Sequence, residues 1–252
     1  MEANLKKAQS LFKQHKYQET IQICNQILAT NSCEILALKL IAKSFLIKRE
    51  IENARKYLIK ALQIKPNDCE VIKDLGNTYQ SIGDINNAKD YYNKAIAING
   101  CYAPALANLG AIELATGNKQ KALFLLSKAA KSDPELAPAW INLANIFFQL
   151  GRKKEAENAC RKSLEINPNI FTTNFLLSLI LIDQKKLKDS EQPLRKAIEL
   201  KPDFAEAYSN LGNILNQLGR SEEAEISLRK AIELKPEFAN AHSNLGSILK
   251  DL

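Results

Sequence analysis

Apolar residues recur along this chain at intervals of three and four, in two bursts within every 34 positions. Written in rows of 34 from Met1, the sequence aligns end to end without insertion or deletion, as seven full rows and a fourteen-residue remainder. Columns 4, 7 and 11 fall on one helical face, and so do columns 20, 24 and 27, so each row predicts a pair of amphipathic helices. Column 8 holds only small residues, among them Ala42, Gly76, Gly110, Ala144 and Gly212, and column 20 is similar, with Ala54, Ala88 and Ala122. Small residues let helices approach closely, so a large side chain at Gly110 or Ala122 overpacks the contact by ~1–3 kcal/mol. Gly83, Gly117, Gly151 and Gly219 stand where the first helix of a row ends and a positive φ is needed. Pro66, Pro134, Pro168, Pro202 and Pro236 stop the second helix, and Pro104 and Pro138 fit the first turn of the next. A fixed period over the whole chain predicts one repeat array, with rows 1–34, 35–68, 69–102, 103–136, 137–170, 171–204 and 205–238 and a half row 239–252.

Some rows depart from the pattern. Row 1–34 has Asn4, Lys7 and Thr20 at apolar or small positions, which suits an end repeat with one face in water. Row 171–204 has Asn174, Ser178 and Lys185, and it carries Pro193 inside its second helix. An interior Pro costs roughly 3 kcal/mol, so a kink or a shortened helix is predicted there. Glu113 occupies a column otherwise apolar or aromatic and reads as a tolerated departure, or as a side chain snorkelling to the groove. In the half row, Leu245, Ile248 and Leu249 await a second-helix partner. The expectation is a polypeptide that continues past Leu252, or self-association through this end.

Composition narrows the chemistry. Hydrophobic residues at 46% and charged residues at 25% exclude a disordered tail. The longest nearly pure apolar run, Phe175 to Ile182, falls far short of the ~20 residues a membrane helix needs, and the polar start MEANLKKAQS has no secretory apolar region. The five Cys form no CxxC pair. Cys24 and Cys160 share a core column and Cys33 and Cys101 a linker column, which reads as packing in a reducing, cytoplasmic compartment. His15 falls in a turn and His242 in the column of Trp140 and Tyr208, both structural positions. With no Gly-rich phosphate loop, HExxH or GxSxG, the chain is expected to be no enzyme and to need no cofactor or metal. The net charge of +7 lies mainly in row 35–68. It reads as a solvated face, with neither nucleic acid nor membrane as partner.

Trp140, Leu143, Ala144, Phe147, Ala156 and Pro168 stand in row 137–170 at the spacing of the tetratricopeptide repeat (TPR), with Cys160 in the usual aromatic place. The whole chain resembles that family. The resemblance implies an all-α fold, a right-handed TPR superhelix (α-solenoid) of helix-turn-helix hairpins whose first helices line a concave groove. It further implies a non-catalytic protein–protein interaction scaffold binding an extended peptide or partner segment. The alternative is the N-terminal recruiting array of a larger glycosyl-, sulfo- or methyltransferase.

In that family, columns 2, 5, 6, 9, 12 and 13 face the groove. Column 6 gives Asn108, Asn142, Asn210 and Asn244, and column 9 gives Asn77, Asn145 and Asn213. Each amide offers a donor and an acceptor, so a ladder of them suits the backbone of an extended peptide. It resembles the Asn ladder of O-linked N-acetylglucosamine transferases. Lys73, Asn77 and Asn108 match the first three positions of the family's carboxylate clamp, whose other two basic positions fall on Pro138 and Asn142. With Lys39 and Lys43 they form a basic groove end suited to an acidic segment or C-terminus. Row 171–204 offers instead Phe175, Leu176, Leu179 and Ile182, an apolar patch that either anchors a ligand side chain or packs against the helix of Pro193.

Overall fold

Fifteen α-helices and no strand make up the computed structural model, which describes residues 2–251. The first helices of the rows are α1 (Glu2–Lys13), α3 (Ile35–Ile47), α5 (Cys69–Ser81), α7 (Ala103–Ala115), α9 (Ala137–Gln149), α11 (Phe171–Asp183), α13 (Ala205–Gln217) and α15 (Ala239–Asp251). The second helices are α2 (Tyr17–Thr30), α4 (Ile51–Ile64), α6 (Ile85–Ile98), α8 (Lys119–Ser132), α10 (Lys153–Ile166), α12 (Leu187–Leu200) and α14 (Ser221–Leu234). They gather into two compact units, Met1–Ser132 and Asp133–Leu252. Within each unit a helix packs on its hairpin partner and on the first helix of the next row.

The small column works as the spacing predicts. A Cβ on Gly110 would lie 2.7 Å from Leu126 Cγ, and one on Gly76 would lie 2.6 Å from the ring of Tyr92. Tyr92 is wholly buried, and its hydroxyl lies 2.8 Å from Asn77 Oδ1 and 2.7 Å from Gln80 Oε1, with its single proton donated to one of them at a time. The turn between paired helices takes a positive φ whichever residue holds it: Gly83, Gly117, Gly151 and Gly219, but also His15, Arg49 and Lys185 near +60°. Geometry fixed by the hairpin therefore overrides residue preference at three turns.

Column 4 makes a bond that spacing alone does not reveal. Trp140 Nε1 donates to the Pro134 carbonyl at 2.8 Å, and Asn174 Nδ2 does the same to Pro168 at 2.9 Å. His242 Nε2 lies 2.7 Å from the Pro236 carbonyl. Asn174 is therefore a substitute for the ring N–H rather than a defect, since it satisfies the carbonyl of the proline in the turn after the preceding helix.

Two expectations need correction. Pro193 does not shorten its helix: α12 spans fourteen residues like the other second helices. Ser190, Leu194 and Ala197 are buried on its inner face, and that packing holds the helix together across the missing N–H. Glu113 does not reach the groove. It is 1% exposed, and its carboxylate meets Lys89 at 3.1 Å, Lys121 at 3.0 Å and the Asn118 amide at 2.7 Å. In the half row, Leu245 and Ile248 are buried with the α13–α14 core, and only Leu249 is exposed.

Candidate functional site

In the first unit the predicted basic residues are brought together, but their charges are already taken up. Lys39 pairs with Glu70 and, at 3.4 Å, with Asp68, while Lys43 meets Glu70 at 2.5 Å. The acid in column 2 of one row thus reaches the lysines in columns 5 and 9 of the row before. Burial pushes the Glu70 carboxyl up, but hydrogen bonds and charge from Lys39 and Lys43 outweigh it and hold the group at about 2. Lys73 pairs with the neighbouring, buried Asp74. Asn77 Nδ2 donates to Asp74 Oδ1 at 3.3 Å, and Asn108 Nδ2 to Asn77 Oδ1 at 2.8 Å. The three clamp-like residues are adjacent, and an internal carboxylate sits among them.

In the second unit, α11, α13 and α15 enclose an open pocket of about 560 Å³. Its walls include the predicted Phe175, Leu179, Asn210, Asn213 and Asn244. They also include Glu206, Ser209, Asn240, Ser243 and Phe238. Glu206, Ser209, Asn240 and Ser243 stand in columns 2 and 5, so the column rule was signal enough for them. Phe238 lies in column 34, just before α15, and no groove column announces it. Phe175 is held edge-on to Phe204, ring centroids 5.0 Å apart, and stacks on Phe171, so it presents a fixed aromatic wall. Leu176, by contrast, is buried. The apolar patch therefore faces the pocket through Phe175 and Leu179, while it is Leu177 and Leu181 that line a separate cavity of about 850 Å³ beside Pro193.

The amides differ in what they are free to do. Asn145 Nδ2 is turned back onto the Ile141 carbonyl at 3.1 Å, and Asn213 Oδ1 accepts from Gln217 at 3.0 Å. Asn210 and Asn244, half-buried at the pocket, and Asn142 on α9, make no side-chain hydrogen bond to any described residue. Glu206 is the pocket's one charged side chain, paired at its edge with Lys235 at 3.1 Å.

A family model described as Cilia and flagella-associated protein 70 C-terminal domain matches residues 67–252, and a tetratricopeptide-repeat model matches residues 40–68. The chain belongs to the tetratricopeptide-repeat family. Over residues 67–252 it belongs to the family of the first of these models. Its TPR fold is shared with PilF of Pseudomonas aeruginosa, at 19% identity over 84% of this chain and 96% of that one, with a TM-score of 0.75. YrrB, described as a TPR protein with an unusual peptide-binding site, aligns at 22% identity over 77% of this chain and 98% of that one, TM-score 0.63. A chain of the APC/C hetero-tetramer Cut9–Hcn1 aligns at 15% identity over 96% of this chain and 48% of that one, TM-score 0.75. Comparison with curated protein sequences gives no match. TPR proteins bind other proteins or peptides and are in general non-catalytic scaffolds. Among the described residues, no helix is long and apolar enough to cross a membrane.

Proposed function

We propose that this TPR chain is an interaction scaffold that holds an extended polypeptide segment against α11, α13 and α15. The observation that carries the reading is the pair Asn210 and Asn244, one repeat apart, each half-buried at the same pocket with an uncommitted amide. Amides so placed can donate to and accept from a ligand's backbone whatever its side chains. Phe175, Leu179 and Phe238 supply apolar area for one anchoring side chain. Glu206, the pocket's one charged side chain, is already paired with Lys235, and no cation lines the pocket, so nothing here favours an acidic segment. The acidic preference expected of Lys39, Lys43 and Lys73 is weakened, because each already has a carboxylate partner. The peptide-binding description of the similar YrrB fits this reading.

The test is a random-peptide display selection on the full chain, followed by affinity measurements on Asn210→Ala/Asn244→Ala. Losing two hydrogen bonds of about 1 kcal/mol each weakens selected peptides by roughly tenfold or more. Selected peptides that bind the double variant unchanged would contradict the reading.

A further inference from the structure

The second helices α10, α12 and α14 neutralise their outer faces in the same register. Columns 21 and 25 pair Glu157 with Arg161, Glu191 with Arg195, and Glu225 with Arg229, at 2.6–2.9 Å. Columns 26 and 29 pair Lys162 with Glu165, Lys196 with Glu199, and Lys230 with Glu233, at 2.6–2.7 Å. Helix α8 breaks both pairs. Its equivalents are Leu123 with Ser127 and Lys128 with Lys131, so Lys131 stands where the others carry Glu. The sequence KQKALFLLSKAAKS has four lysines and no acid. Lys121 is engaged by Glu113, but Lys119, Lys128 and Lys131 have no ion-pair partner among the described residues. Phe124 is 66% exposed, and with Leu123, Gln120, Ser127, Lys128 and Lys131 it lines an open recess of about 510 Å³.

We infer that the outer face of α8 docks an acidic polypeptide segment whose apolar side chain covers Phe124 and Leu123. Charge complementarity sets the occupant. At 1.5 Å and about 100° per residue, Lys128 and Lys131 lie about 6 and 10 Å along the helix from Phe124 and within about 40° of its face. A segment that carries carboxylates beside an apolar residue meets both. A bilayer surface is disfavoured because it needs several apolar side chains on one plane, and here a single aromatic stands beside a recess. Single-stranded nucleic acid is disfavoured because it needs successive aromatics for stacking. This surface belongs to a second helix and uses none of the groove amides, so it stands or falls apart from the peptide groove.

The test is fluorescence anisotropy with the full chain and a labelled synthetic peptide, Leu-Phe flanked on each side by Glu and Asp. Parallel arms use the same peptide with Lys for every acid, phosphatidylcholine/phosphatidylserine vesicles, and an oligothymidine strand. The acidic peptide binds at low salt, and Phe124→Ser and Lys128→Glu/Lys131→Glu each weaken it about tenfold or more. Asn210→Ala/Asn244→Ala leaves it unchanged. Lys131→Glu alone also weakens binding, and because it creates with Lys128 the Lys–Glu pair that α10, α12 and α14 carry, misfolding does not account for its effect. No binding of the acidic peptide, indifference to these variants, or tighter binding of vesicles or the oligonucleotide overturns the inference.

Discussion

Gly212 lies directly beneath Leu228: a Cβ at Gly212 would stand 2.6 Å from Leu228 Cγ and 3.0 Å from the Ala224 carbonyl oxygen. The side chain could turn aside, but the backbone oxygen cannot. Gly212→Ala therefore destabilises by ~1–3 kcal/mol in urea unfolding. Gly246 occupies the same column with nothing within 4 Å of its Cβ position. There Ala removes the entropic penalty of a helical Gly, and stability rises by about 0.5–1 kcal/mol. Equal effects at the two sites would show that this column is not set by close packing.

Glu113 offers a sharper test of what a buried charge does. Burial pushes its carboxyl up, but hydrogen bonds from Lys121, Asn118 and Lys89 reverse the shift and hold it at about 2. A folded-state value below the unfolded one stabilises the fold above about pH 4.5, and that contribution is lost as pH falls towards 2. Glu113→Gln should cost about 1–3 kcal/mol at neutral pH, because the lysines lose their counter-charge. Glu113→Leu restores the apolar residue of the column and should stay within about 1 kcal/mol of the parent. Both variants should also flatten the acid limb of the stability–pH curve.

Lys185 holds a φ of 62° where four other turns place Gly. Lys185→Gly relieves left-handed strain and should stabilise by about 1 kcal/mol, net of the greater freedom Gly gains in the unfolded chain. A loss of stability in thermal unfolding would mean that the Lys side chain matters more than its backbone.

Glu70→Gln leaves Lys39 and Lys43 without their shared carboxylate. Isothermal titration with a short poly-glutamate peptide should then show binding to the first unit's groove that the parent chain lacks, suppressed by salt. Parent and variant binding alike would mean that Glu70 does not hold the lysines in reserve.

The hairpin architecture was legible in the sequence because helix packing imposes the same demand every 34 residues, and Gly110 over Leu126 or Gly151 at its turn answers it locally. Column arithmetic also led to Phe175, Asn210 and Asn244, because groove-facing positions repeat with the helix. What it did not reveal are contacts that join one row to the next. Glu113 looked like a stray acid until Lys89 of the preceding row came beside it. Lys39 and Lys43 looked free until Glu70 of the following row reached them. Asn174 looked like a lost apolar residue, but the Pro168 carbonyl gives it a task. Such pairs are set by how successive helices stack, and periodicity within a row is blind to them. Phe238 escaped for a related reason: it enters the pocket from a turn, outside any helical face.

The central claim is that Asn210 and Asn244 hold the backbone of a segment bound across α11, α13 and α15. The most direct measurement is the affinity of one display-selected peptide for the parent chain and for Asn210→Ala/Asn244→Ala, with Phe124→Ser as the control on a different surface. The double variant should lose roughly tenfold or more in affinity, and the control should not change. Equal affinity across all three chains would contradict it.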